Sequence, residues 1–128
     1  MSVASDYLEN EILDHIFRNS AYTSPASVHL ALYTAAPSDS GGGTEVSGNG
    51  YAREAITFGA ASGGTISNTA AVEFTASGGN FGTVTHWGIF DASTSGNLLA
   101  HGALTASRAV NDGDTLTFAI GDIDISLA

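Results

Sequence analysis

The sequence predicts a mainly β domain: an antiparallel β-sandwich or jelly-roll-like fold carrying one N-terminal amphipathic α-helix. Three observations predict it. After Pro25, short runs of alternating apolar and polar residues recur between clusters of Gly, Asn, Ser and Asp. Before Pro25, only residues 6–18 carry a helical period. Between them in weight stands Gly82-Thr-Val-Thr-His-Trp-Gly-Ile-Phe-Asp91, followed by Gly96-Asn-Leu-Leu99, which reads as a hairpin with two apolar faces. Trp87 and Ile89 point one way, Val84 and Phe90 the other. A hairpin on an open sheet edge normally shows water a polar face, so this one must be covered on both sides, by its own chain or by a neighbour.

The 128 residues, without a cysteine, read as a single domain over 1–128, with the helix at 6–18 and the sandwich at 26–128. That length buries a sizeable core without disulfides. In the helix, Leu8, Ile12 and Ile16 fall at successive i+4 spacings beside Leu13 and Phe17 and form one apolar stripe. Ser5 or Asp6 can cap its start, and the Asp6–Glu9 spacing suits a capping box. Asn19-Ser20 and then Pro25 stop it.

Strands are expected next. Val28, Leu30 and Leu32 alternate with His29, Ala31 and Tyr33, and Pro37 ends the run. Residues 38–50 are a Gly/Ser-rich stretch, too polar to pack by itself and of a length that is usually mobile or functional. Further strands are predicted at 51–58, 64–67, 71–75, 83–91, 97–103, 107–110, 114–120 and 123–127. Asn111-Asp-Gly-Asp114 signals a tight turn before Thr115-Leu-Thr-Phe118.

Charge excludes several functions. Arg18, Arg53 and Arg108 are the only strong bases, lysine is absent, and the formal net charge is −10. Nucleic-acid affinity comes from neutralising phosphates with Lys and Arg, so nucleic acid and anionic membrane surfaces are poor partners. No stretch has the length of a membrane span, and the N-terminus shows no signal peptide, which makes synthesis in a cytoplasm the expectation.

The residues suggest no catalysis. No Gly-x-Ser-x-Gly elbow is present, and the glycine pairs lack the lysine of a phosphate loop. Of the four histidines, His15 and His29 read as outward-facing. A turn centred near Thr94 sets Trp87 opposite His101 and His86 opposite Gly102. The two histidines then fall on opposite faces, which argues against a shared metal and for a cross-strand Trp87–His101 contact. The aspartates at 112 and 114 supply a fragment of a calcium loop, and bonding within the turn explains them equally. No cofactor is expected.

Tyr51-Ala-Arg53, Ile66-Ser-Asn-Thr-Ala-Ala-Val72, the hairpin segments above, Gly113-Asp-Thr-Leu-Thr-Phe118 and Leu32-Tyr-Thr-Ala-Ala-Pro37 together resemble a family of small virion proteins from tailed phages. Its members are commonly labelled phage tail fibre-like proteins. The resemblance covers nearly the whole chain and implies a virion structural protein, an oligomer with no active site. The chain lacks the coiled-coil, repeat or β-helical shaft of a long fibre. Its compact size points first to a capsid decoration or cement oligomer seated on the major capsid protein. A tail fibre or tail-tip subunit is the alternative, and a module binding host-surface sugars through Tyr51 and the 38–50 loop is a third reading. Self-association as a homotrimer is expected, with Leu8, Ile12, Ile16, Phe17, His86, Trp87, Phe90 and His101 as interface candidates.

Overall fold

The computed structural model describes residues 2–127, so the last position of the predicted 26–128 sandwich lies outside the described residues. In chain order the elements are β1 (Ser2–Ala4), α1 (Asp6–Phe17), β2 (Val28–Ala35), β3 (Thr44–Glu45), β4 (Glu54–Ile56) and β5 (Thr65–Ser67). There follow β6 (Val72–Thr75), β7 (Gly82–Phe90), β8 (Leu98–Val110), β9 (Thr115–Phe118) and β10 (Asp124–Ser126). Every strand pair is antiparallel. A six-stranded sheet runs in the order β1-β8-β7-β2-β3, and β4 pairs with the first half of β2. Two ribbons, β5–β10 and β6–β9, complete a sandwich-like arrangement.

The core lies between sheet and ribbons. Leu30, Leu32, Val84, Trp87, Ile89 and Leu99 of the sheet meet Val72 and Phe74 of β6, Leu116 and Phe118 of β9, and Ile123. The strands supply these residues at period 2: in β6 and β9 alike, buried and exposed positions alternate strictly. Phe74 meets Phe118 edge-on, with ring centroids 6.2 Å apart. One buried polar side chain ties the two ribbons together. Asn68 donates from Nδ2 to the carbonyls of Ala70 (2.8 Å) and Ala119 (3.0 Å), and its Oδ1 accepts from the Ile123 amide at 3.0 Å. With its amide valences engaged, Asn68 is buried without the desolvation penalty of an unpaired group.

The central hairpin departs from the straight ladder expected of it. Phe90 pairs with Leu98, the register that a turn near Thr94 predicts, but a bulge follows at once. Leu99 is the extra residue, and from Ile89 back to His86 each pairing is shifted by one. Trp87 therefore faces Gly102, and His101 faces Gly88. The expected Trp87–His101 pair is not formed, and His86 and His101 share one face of the sheet. Leu98 and Leu99, adjacent in sequence, alternate into clusters on opposite sides of the sheet.

A second, larger bulge lies between the pairs His86–Ala103 and Val84–Arg108. Leu104–Ser107 stand where β7 offers only Thr85. The separate strands expected at 97–103 and 107–110 are thus one strand interrupted at this point. The irregularity also reverses Val84, which joins Trp87 and Ile89 in the main core instead of sharing the face of Phe90.

The second face of the hairpin is covered by its own chain. Ala31, Tyr33, Phe90 and Leu98 form a small buried cluster there. Tyr33 lies over Gly88, where a Cβ would come within 2.9 Å of Tyr33 Cε1 and 3.0 Å of Leu98 Cδ1. Glycine at 88 is a packing requirement of that ring.

Ser5 resolves the start of the helix. Its Oγ accepts from the Leu8 amide at 3.1 Å, making it the N-cap, and donates to the Leu98 carbonyl. Its own amide donates to the Leu99 carbonyl at 2.8 Å. The cap therefore also fastens the helix to β8. At the other end Arg18 is the C-cap, Asn19 takes φ +55°, and the Ser20 amide returns to the Asp14 carbonyl.

Candidate functional site

Two regions have the character of a site: a charged node at the turn end of the β7–β8 hairpin, and an apolar surface beside α1. The node is built on Arg53. Its Nε and Nη2 donate to Glu45 Oε2 and Oε1, each at 2.9 Å, a bidentate ion pair with the arginine side chain 9 % exposed. Nη1 donates to the carbonyls of Ala92 (3.1 Å) and Ser95 (2.7 Å) in the β7–β8 turn. The guanidinium carbon stands 3.6 Å from the Phe90 ring centre, a cation–π contact that closes the small cluster from outside.

Tyr51 completes the node. Its hydroxyl donates to Glu45 Oε2 at 2.6 Å and accepts from the Leu32 amide at 3.1 Å. Its ring meets Phe74 and Phe81 at centroid distances of 6.1 and 5.8 Å. Burial, then the hydrogen bond to Glu45, push its hydroxyl well above the ordinary phenol range. Tyr33 is pushed up to about 12, chiefly by burial, with the charge of Glu45 adding to it. Arg53 is raised by its hydrogen bond to Glu45. The 38–50 loop, expected to be loosely held, supplies Glu45 to this node and the buried Val46 to the core. Tyr51 is consequently not an exposed platform on which a sugar could stack.

The turn itself is closed by its own side chains. Asp91 accepts from the Asn97 amide at 2.7 Å and from Asn97 Nδ2 at 3.0 Å. Gly96 sits against them at φ +78°, and a Cβ there would fall 2.5 Å from Asp91 Oδ1. Arg53, Asn68, Asp91, Gly96 and Asn97 all lie in the segments that carry the family resemblance. Their roles in this fold are fastening roles.

The apolar region lies beside α1. Leu8, Val28, Phe58, Ile66, Ile125 and Leu127 contribute to a groove of about 350 Å³ whose lining is almost wholly apolar. Tyr7 and Leu8 pack on the core, but no residue of α1 is fully buried. The predicted stripe of Leu8, Ile12, Ile16 and Phe17 therefore docks at its first turn and then leaves the domain. Ile12 is partly exposed, Leu13 is 53 % exposed, Ile16 63 % and Phe17 78 %.

The remaining interface candidates divide by face. Trp87 is in the main core; Phe90, His86 and His101 share the opposite face, with Phe90 buried and the histidines partly so. His101 Nε2 lies 2.9 Å from Asp39 Oδ1, a part-buried contact that anchors the 38–50 loop to β8. His86 Nδ1 lies 2.9 Å from Thr85 Oγ1. Among the described residues no group of three or more His, Cys, Asp or Glu is placed to hold a metal ion. The carboxylates of the predicted 111–114 turn are both engaged: Asp114 accepts from the Asn111 amide within the turn, and Asp112 from the Gly78 amide of a distant loop, each at 2.9 Å.

Sequence reasoning did not pick out the Arg53–Glu45–Tyr51 node or Asn68. The available signal for the node was scarcity. In a chain with three cations and thirteen acids, an arginine flanked by strand residues has many suitors, but which carboxylate it meets depends on tertiary register.

A small antiparallel β domain whose polar motif residues serve as fasteners, with an apolar patch beside α1, has the character of a structural module. Residues 3–126 match the family model described as "Podophage GP4 fiber I protein gp80", and the chain belongs to that family. It is accordingly a structural component of a phage virion. No match to a curated protein was found.

Proposed function

We propose that the chain is a non-enzymatic subunit of a phage tail fibre apparatus, built into it by association with further copies of itself. The family's description as a fibre protein supports the tail over the capsid-surface position that compact size alone put first. The observation that carries the assembly reading is the far half of α1. A helix of 12 residues is marginal in water unless its apolar face is covered, yet Leu13, Ile16 and Phe17 stand exposed beyond the domain. Beside the helix root lies the apolar groove, so each copy offers both an apolar projection and an apolar recess. A head-to-tail contact of this kind closes into a ring when the rotation allows, and a homotrimer is the form we propose. A second virion protein would receive the assembled ring.

The test joins solution and particle. Light scattering on the purified chain is expected to show an oligomer, and the pair Ile16→Asp with Phe17→Asp to give a monomer that still folds, since both side chains are exposed in the single chain. Immunogold labelling of purified particles is expected at the tail. Label spread over the shell would establish the decoration reading instead, with the major capsid protein as the receiving partner. A wild-type chain that stays monomeric at high concentration would remove self-association.

A further inference from the structure

The chain's three guanidiniums are in unlike situations. Arg18 pairs with Asp14 one turn back on its own helix, and Arg53 is saturated in the node. Arg108 makes no ion pair among the described residues, despite thirteen acids in the chain. It lines a groove of about 240 Å³ between the main sheet and β9, framed on one wall by residues 104–106 of the second bulge. Bulges of this kind re-aim side chains and gather beside functional sites.

The floor of the groove is apolar, with Leu116, Phe118 and Trp87 all buried. Trp87 is 5 % exposed, yet its indole N–H has no hydrogen-bond partner among the described residues, and it is not among the atoms sealed from solvent. A buried tryptophan N–H ordinarily finds an acceptor, so this one is a donor available to the groove. Asp122, also in the lining, accepts from the Ala119 amide at 2.8 Å and is not paired with Arg108. One cation, one neutral donor and one carboxylate acceptor thus stand around an apolar floor, unneutralised by each other.

We infer that this groove binds a carboxylated sugar residue, with Arg108 holding the carboxylate and Trp87 N–H an uncharged ring or hydroxyl oxygen. A carboxylate matches the guanidinium fork in a bidentate pair. Asp122 accepts a hydrogen bond from a ligand hydroxyl and disfavours a doubly charged group such as phosphate. The volume suits a single pyranose unit. At 5 % exposure Trp87 has no free face for a ring to stack on, so recognition runs through its N–H. The net charge of −10 weakens any polyanion, so a single site binds in the millimolar range and repetition across copies supplies avidity. This site goes beyond the assembly role and needs no particle to be measured.

The experiment follows the emission of Trp87, the only tryptophan, in the purified full chain during titration with D-glucuronate. D-glucuronate methyl ester, D-glucose and acetate are the controls, and saturation-transfer NMR on the same samples detects a complex that leaves emission unchanged. Saturable binding of glucuronate is expected, at least tenfold weaker for the methyl ester and for Arg108→Gln, and weakened by added salt. Arg108→Gln is first shown to melt like the wild type. Four results each overturn the proposal: no binding of glucuronate by either method, equal affinity for the ester, unchanged affinity in Arg108→Gln, or saturation by acetate in the same range, which marks an anion site only. None of them bears on the oligomer or on its place in the particle.

Discussion

Arg53 and Arg108 stand at opposite ends of the β7–β8 hairpin, and the chain treats them in opposite ways. At the turn end, Arg53 is held by a bidentate carboxylate, two turn carbonyls and an aromatic face. At the bulge end, Arg108 stands opposite Val84 in the ladder with no ion pair among the described residues. The turn end is a place where polar groups satisfy one another, so its chemistry is exhausted by folding. The bulge end leaves donors and acceptors side by side without pairing them. A residue in the first setting belongs to stability, and one in the second is available for recognition.

The largest expected effect is at the turn end. Arg53→Ala leaves Glu45 partly buried with Tyr51 as its remaining side-chain partner, and breaking a buried ion pair in this way costs about 3 kcal/mol. Urea melts of Arg53→Ala, Glu45→Ala and the double variant measure the coupling directly. A loss below about 1 kcal/mol would put the pair among ordinary surface bridges and break the comparison.

Alkaline titration sharpens it. Tyr33 holds its proton to about 12 in the folded chain against an ordinary value of 10.0, and Tyr51 is raised further in the same direction. Above about pH 10 the unfolded chain releases phenolic protons that the folded chain retains, so stability falls as pH rises. The contribution of Tyr33 is complete below pH 10 and is lost between 10 and about 12. Tyr33→Phe is expected to flatten the decline of the melting temperature across that window. An unchanged slope would show the phenol to be in ordinary solvent.

Much of the fold was legible from periodicity: the single helix, the alternating strands and the two-faced hairpin all follow from where apolar residues recur. The details that went unread share one cause. Register in β7–β8 depends on single extra residues at Leu99 and on the 104–107 segment, and a bulge has no periodic signature of its own. One slipped position exchanged the partner of Trp87 and put His86 and His101 on the same face. The helical stripe was visible, but periodicity gives the direction of an apolar face and not what lies opposite it. Leu8 meets the core while Phe17 meets none of it. Arg108 could not be told from Arg53 in sequence, since both are lone cations among strand residues; only the tertiary neighbours separate them.

The smallest expected effect is the stability change of Arg108→Gln, and it bears most directly on the difference between the two ends. Arg108 is exposed and has no ion pair to lose among the described residues, so its removal disrupts no ion pair and buries no orphaned charge. Surface substitutions of that kind stay within about 0.5 kcal/mol of the parent. Glutamine keeps most of the aliphatic stem, so lost packing adds little. The melt of Arg108→Gln should therefore overlay the wild-type melt within a few degrees, while Arg53→Ala falls well below it. If Arg108→Gln instead fell as far as Arg53→Ala, the bulge end would be fastened as tightly as the turn end. The free guanidinium would then be a structural residue, and the asymmetry that marks the groove as a place for a ligand would be gone.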